Sequence, residues 1–200
     1  PSDTPQPTTE KPPGASIVIP AFNEERTIGR IIEGIRALPF DHEILVVDDG
    51  STDRTAEVAR AAGARVIRHP YNIGYGAAIR KGVRHASRPI VVLMDGDGQH
   101  DPRDVSRLVD NVAEYDMAVG ARTWRSKGLL GRAIGISVLS WFAGYMAGRK
   151  IPDLTSGFRA IKRDVLLRYL CLLPNGFSAS TTMTLALLRG GHSVTFVPWD

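Results

Sequence analysis

"SIVIPAFNEERTIGRIIEGIRAL", residues 16–38, decides the fold, because its hydrophobic period changes partway along. The run SIVIP is short and continuously apolar, as in a strand covered on both faces. After the polar link AFNEE, residues Ile28, Ile31, Ile32, Ile35 and Leu38 fall on one helical stripe. A doubly covered strand running straight into an amphipathic helix is the opening half of a β-α-β crossover, the unit from which parallel sheets are built.

The alternation continues down the chain. "HEILVVDD" (42–49) reads as a strand, "DRTAEVARAAG" (53–63) as a helix ending at Gly63, and "ARVIRH" (64–69) as a third strand. A helix over 74–86, the strand "PIVVLM" (89–94), a helix after Pro102 and the strand "DMAVGAR" (116–122) follow. This order predicts an α/β domain, with a mainly parallel sheet flanked by helices on both faces. The 200 residues, 43% of them hydrophobic, suffice for one core, so a single domain over 15–200 is expected. Residues 1–14, rich in Pro, Thr and charge, read as a disordered tail without the apolar segment of a signal peptide.

Composition narrows the function classes. The net charge of +4 comes from basic residues interspersed with acids, a balance that does not point to nucleic acid. The lone cysteine, Cys171, excludes an intrachain disulfide and fits a reducing compartment. No uninterrupted apolar run is long enough for a clear membrane span.

In parallel sheets ligands bind beyond the carboxyl ends of the strands, and the polar clusters fall there. The first strand ends at PAFNEE, the second at VDDGSTD, the third at HPYNIGYG and the fourth at MDGDGQHD. Asn23, Glu24, Asp48, Asp49, Asp95 and Asp97 are thereby expected around one crevice, where like charges repel unless a cation or a donor-rich ligand joins them. Plainer readings exist: NEE as a helix N-cap with first-turn acids, DDGSTD as a turn entering a helix, and the glycines of the third cluster as an ordinary loop. The Asp95–Asp97 pair is harder to explain by packing. Asp97 and Gln99 carry hard oxygens suited to Mg²⁺ or Mn²⁺, with room for a diphosphate to complete the shell. His100 is expected to face outward.

The motifs VIPAFNEE, VVDDGSTD, NIGYGAAIRKG, MDGDGQHDP, VGAR and DLTSGFRAIKRDVL, in that order over residues 16–198, resemble the family 2 glycosyltransferases of GT-A fold. Within them the chain is most similar to dolichol-phosphate mannose synthases and bacterial polyprenyl-phosphate sugar transferases. The resemblance implies a nucleotide-sugar donor such as GDP-mannose or UDP-glucose, a polyprenyl-phosphate acceptor, a Mg²⁺ or Mn²⁺ cofactor and inversion at the anomeric carbon. It implies that Pro20, Phe22, Asn23 and Glu24 hold the nucleoside, with Val47 and Asp49 at the base and ribose. Asp95, Gly96, Asp97 and Gln99 match the metal and diphosphate motif; Asp97 and Gln99 are the expected metal ligands, with Asp95 nearer the ribose and metal.

On the acceptor side, a lipid phosphate is largely ionised at neutral pH and needs positioning more than deprotonation. A hydroxyl acceptor would need a base, for which Asp153 is the expected residue. Residues 122–149 contain no acid, and the uncharged run 133–148 has basic ends, which suits a helix lying on an anionic membrane surface as well as an ordinary buried helix. In the resemblance, Arg122 and Arg132 match arginines that hold the acceptor phosphate, and Ser156, Gly157 and Arg159 line the acceptor side. Two positions depart from the pattern: Tyr75 stands where a lysine is common, so a donor-side cation is absent, and Thr182 stands where an acid is common. Similar proteins continue past TFVPWD into a basic loop and, in many, membrane helices. The chain is therefore expected to be part of a longer protein at the cytoplasmic membrane face. Two other classes of function fit less well: a nucleotidyltransferase, whose Gly-rich basic signature PAFNEERT lacks, and a non-catalytic nucleotide-sugar-binding domain.

Overall fold

A computed structural model of the chain describes residues 13–122 and 152–199. Strand β1 (Ala15–Ala21) leads through α1 (Ile28–Arg36) to β2 (His42–Asp48), then α2 (Thr55–Ala61), β3 (Arg65–Arg68), α3 (Tyr75–His85), β4 (Ile90–Leu93), α4 (Asp104–Asn111) and β5 (Met117–Arg122). After residue 151 come β6 (Arg159–Lys162), α5 (Arg163–Tyr169), a 3₁₀ turn (Leu170–Leu172), α6 (Ala179–Arg189) and β7 (Val194–Trp199). The nine alternating elements read from sequence are all present.

They form one seven-stranded sheet in the order β3-β2-β1-β4-β6-β5-β7. β1 pairs in parallel with both β2 and β4, and β2 with β3. β6 runs antiparallel to β4 on one side and β5 on the other, so β5 is displaced from β4 and pairs in parallel with β7. The sheet is therefore parallel except for one inserted strand.

The covered strands explain the continuous apolar runs. Ile17 and Ile19 face a cluster with Ile28, Ile31, Ile32 and Ile35 of α1, while Val18 faces the opposite cluster with Leu45, Val47 and Ile79. Each of the four α1 isoleucines is at most 3% exposed, and such burial contributes about 1.5–3 kcal/mol per side chain. Among the described residues no helix is long and apolar enough to cross a membrane.

The C-terminal strands are tied to the sheet by one carboxylate. Asp116 accepts Lys162 Nζ at 3.0 Å, Ser193 N at 3.0 Å and Ser193 Oγ at 3.2 Å, with His192 Nδ1 at 3.2 Å. Partial burial alone would raise its pKa, but these donors outweigh it and hold the carboxyl at about 2. A depressed folded-state pKa contributes stability above the unfolded value and loses it as pH falls. We therefore expect Asp116→Asn to lower stability at pH 7 by about 1–2 kcal/mol, a figure reduced for solvent screening. Denaturant titrations should find the difference from wild type shrinking between pH 3.8 and about 2.

Candidate active site

Because β1 lies between β2 and β4, the chain crosses to one side of it through α1 and returns to the other through α3, a switch point beyond whose carboxyl end a ligand crevice is expected. The β1–α1 and β2–α2 loops interlock beside it. Asn23 adopts a left-handed conformation (φ 59°), which an asparagine tolerates. Its backbone N–H donates to Ser51 Oγ at 3.0 Å and its side-chain Oδ1 accepts Thr52 N at 2.9 Å. Glu24 N donates to Thr55 Oγ1 at 2.7 Å. The N-cap of α1 is Thr27, which makes no side-chain cap bond, so NEE is a clasp between loops rather than a helix cap.

Thr27 serves the neighbouring loop instead. Its hydroxyl lies 2.7 Å from Gly96 O, and a Cβ on Gly96 would lie only 3.3 Å from Pro20 O and 3.6 Å from Glu24 Cγ. The loop after β4 is thus pinned at Gly96 against the end of β1. On either side of that pin, Asp95 keeps a side chain 31% exposed, and Asp97 and Gln99 are exposed. Asp97 Oδ1 accepts Gln99 N at 3.0 Å, closing a turn that leaves the remaining carboxylate oxygen to solvent. Asp95 Oδ1 accepts the Tyr75 hydroxyl at 2.9 Å. Burial, and then the Asp95 charge, push the Tyr75 hydroxyl above its ordinary value, so it stays protonated and donates.

These oxygens fit a hard divalent cation. No group of three or more His, Cys, Asp or Glu capable of caging an ion occurs among the described residues. The protein would supply part of a shell, which matches an open site whose remaining positions a diphosphate or water fills.

His100 corrects an expectation. It is 4% exposed rather than outward-facing, stacked on Phe158 at 4.8 Å and edge-on to Trp199 at 4.6 Å, with Nε2 3.9 Å from Asp95 Oδ2. The two rings come from distant segments that return over the β4 loop and exclude it from water.

The structure places the other expected nucleoside residues unevenly. Phe22 is 43% exposed at the crevice and Pro20 lies buried beside Gly96. Val47 is fully buried in the core beneath α3, so its side chain is closed off from the crevice. Asp49 is 4% exposed and already accepts His69 Nδ1 at 2.7 Å, Ile73 N at 3.0 Å and Gly74 N at 2.8 Å. Its carboxylate straps the HPYNIGYG loop to the end of β2.

On the far side of the crevice, Asp153 is 4% exposed, and its Oδ1 accepts Thr155 N at 3.0 Å, Thr155 Oγ1 at 3.1 Å and Ser156 N at 3.1 Å. That turn sets Gly157 against Asp95: a Cβ there would lie 2.8 Å from both Asp95 Oδ1 and the Tyr75 hydroxyl. Arg159, fully buried, holds the turn from below through Ser156 O, Ser180 O (2.9 Å) and Thr184 Oγ1 (3.1 Å). Burial lowers the guanidinium's pKa from its ordinary value, while the negative charges of Asp153 and Asp95 act the other way. Sequence reasoning missed the Tyr75 bond and the burial of Arg159. Only the small inward residues of α6 could have signalled them. Arg132 and the basic stretch 123–151 lie outside the described residues, as does the side chain of Arg122.

A family model, glycosyl transferase family 2, matches residues 16–170. The chain is 37% identical over 167 residues to a dodecaprenyl-phosphate galacturonate synthase of Rhizobium johnstonii, covering 76% of this chain and 48% of that protein. It is 32% identical over 216 residues to a polyprenol monophosphomannose synthase of Mycolicibacterium smegmatis, covering 96% and 79%. Several curated relatives are longer, and the chain spans 48%, 62% and 64% of three of them. Among solved structures, the glucosyl-3-phosphoglycerate synthase of Mycobacterium tuberculosis, in complex with Mn²⁺, UDP and glucosyl-3-phosphoglycerate, superposes with a TM-score of 0.73 at 25% identity, covering 93% of this chain and 70% of that one. The expected GT-A architecture is thus shared with a solved glycosyltransferase. A sheet of this topology, an acidic loop at its switch point and a family model spanning most of the domain agree: the chain belongs to glycosyl transferase family 2.

Proposed function

We propose that this chain transfers a sugar from a nucleoside-diphosphate sugar to a polyprenyl phosphate, with a divalent cation as cofactor. The observation that carries this reading is the Asp95–Gln99 loop, pinned at Gly96 while Asp97 and Gln99 stay open to solvent. The synthases of polyprenyl-phosphate sugars among the relatives, and the Mn²⁺–UDP complex of the solved neighbour, support it. In this proposal Asp95, Asp97 and Gln99 hold Mg²⁺ or Mn²⁺, which neutralises charge on the departing diphosphate as a Lewis acid. Phe22, Asn23 and Glu24 border the nucleoside, and the Asp153–Phe158 turn borders the sugar and acceptor. Arg122 and Arg132 are assigned to the acceptor phosphate, at a membrane surface on the cytoplasmic side.

An ionised phosphate acceptor needs no general base, and the burial of Asp153 in its own turn accords with that. Inversion follows from direct attack by the phosphate oxygen on the anomeric carbon, with the nucleoside diphosphate leaving from the opposite face.

Calorimetric titration of UDP, GDP, UDP-glucose and GDP-mannose into the chain tests the donor half, first with Mn²⁺ and then with EDTA. Binding of one nucleotide series that EDTA removes is the expected result. Equal binding in EDTA would overturn the metal assignment, and no binding of any would overturn the donor site.

A further inference from the structure

Tyr75 looks from sequence like a loss, an uncharged residue where a lysine is common. Its placement gives it a task. The hydroxyl donates to Asp95 Oδ1 at 2.9 Å. The ring also stacks on the exposed Phe177, with centroids 5.3 Å apart. Gly157, lacking a Cβ, leaves the space that the Tyr75–Asp95 bond occupies: a Cβ there would lie 2.8 Å from the hydroxyl.

We propose that Tyr75 is a positioning residue for the metal site: it fixes the Asp95 carboxylate through Oδ1 and so presents Oδ2 to a divalent cation. This rests on the functional reading above. A carboxylate that must turn to meet an ion loses rotamer freedom on binding, and one already held by a donor does not. A neutral hydroxyl orients the oxygen without setting a second positive charge beside the ion, as an ammonium would. Second-sphere partners of this kind typically carry about 10–100-fold in metal affinity.

The test is Mn²⁺ affinity, read from the electron paramagnetic resonance signal of free Mn²⁺ in the presence of saturating UDP, and again with GDP. Wild type, Tyr75→Phe and Phe177→Ala are compared, each with its thermal melt in EDTA. Tyr75→Phe removes one oxygen and keeps the stacked ring; we expect Mn²⁺ to bind about tenfold more weakly with the EDTA melt unchanged. Phe177→Ala removes the stack and keeps the hydroxyl, and affinity is expected within about twofold of wild type. Wild-type affinity in Tyr75→Phe would overturn the proposal while leaving the metal site standing. An equal loss in Phe177→Ala would overturn it too, by assigning the effect to ring packing. No Mn²⁺ uptake by wild type with either nucleotide would overturn the functional reading and this inference together.

Discussion

Gly157→Ala is expected to lower metal-dependent turnover by about 10²-fold or more while the chain still folds. The reason is space, since Gly157 is not among the positive-φ glycines and alanine fits its backbone. An added Cβ would lie 2.8 Å from Asp95 Oδ1 and from the Tyr75 hydroxyl, and closer still to Asp95 Oδ2. Something has to move, and the neighbours differ in how firmly they are held. The turn carrying Gly157 is anchored by Asp153 on one side, by Arg159 beneath Ser156 O, and by Phe158, which is 1% exposed and stacked on His100. Asp95 has a side chain 31% exposed and one strong partner. The carboxylate is therefore displaced, and its bond to Tyr75 breaks.

An overlap of this size at a movable side chain costs about 1–3 kcal/mol in stability, so the melting temperature falls by only a few degrees. The effect on turnover is larger, because about 1 Å of misplacement at a reacting centre is worth some 10²-fold. Initial rates and a thermal melt on the same preparation check both halves. Wild-type turnover in the variant would mean that the Asp95 carboxylate does not need its present place.

What the sequence made legible depended on whether a signal was local. The parallel half was readable because strands covered on both faces become continuous apolar runs, and because α1 keeps its isoleucines on one stripe. Three of the elements after residue 151 defeated the same reading for particular reasons. β6 is only RAIK, four residues that begin with a buried arginine. α6 buries Ala179, Ser180 and Thr184 beside Met183 and Leu187, so small and hydroxylated residues occupy the inner face where a stripe was sought. There the Thr184 hydroxyl and the Ser180 carbonyl accept from Arg159. β7 contains Pro198, which argues against a strand in a sheet interior but is tolerated here at the sheet edge.

The site divides the same way. Acid clusters at strand ends were legible because the strand-end rule places them without any tertiary knowledge. The burial of His100 was not, because it depends on Phe158 and Trp199 arriving from remote segments. Likewise Asp49 reads as one more free carboxylate until the loop that it straps is seen to fold back on it.

Asp97→Ala is expected to abolish metal-dependent turnover, by about 10²–10³-fold or more, with almost no change in stability. Both parts follow from where Asp97 sits. It is exposed, and its carboxylate makes one local bond, to Gln99 N, so its removal costs the fold about 0.5 kcal/mol or less. In the proposed chemistry the same carboxylate would help hold a cation that offsets the negative charge growing on the leaving diphosphate as the glycosidic bond breaks. A ligand lost there weakens the transition state more than the ground state, so the rate at saturating donor falls and not only the donor affinity. Asp97→Asn separates charge from shape, since the amide oxygen keeps the turn bond to Gln99 while the negative charge is gone. If charge governs, the asparagine variant falls nearly as far as the alanine variant, and added Mn²⁺ recovers part of its rate. Full activity in Asp97→Ala, with the donor identified by calorimetry, would move the cation off this loop and leave Asp95 as the first residue to re-examine.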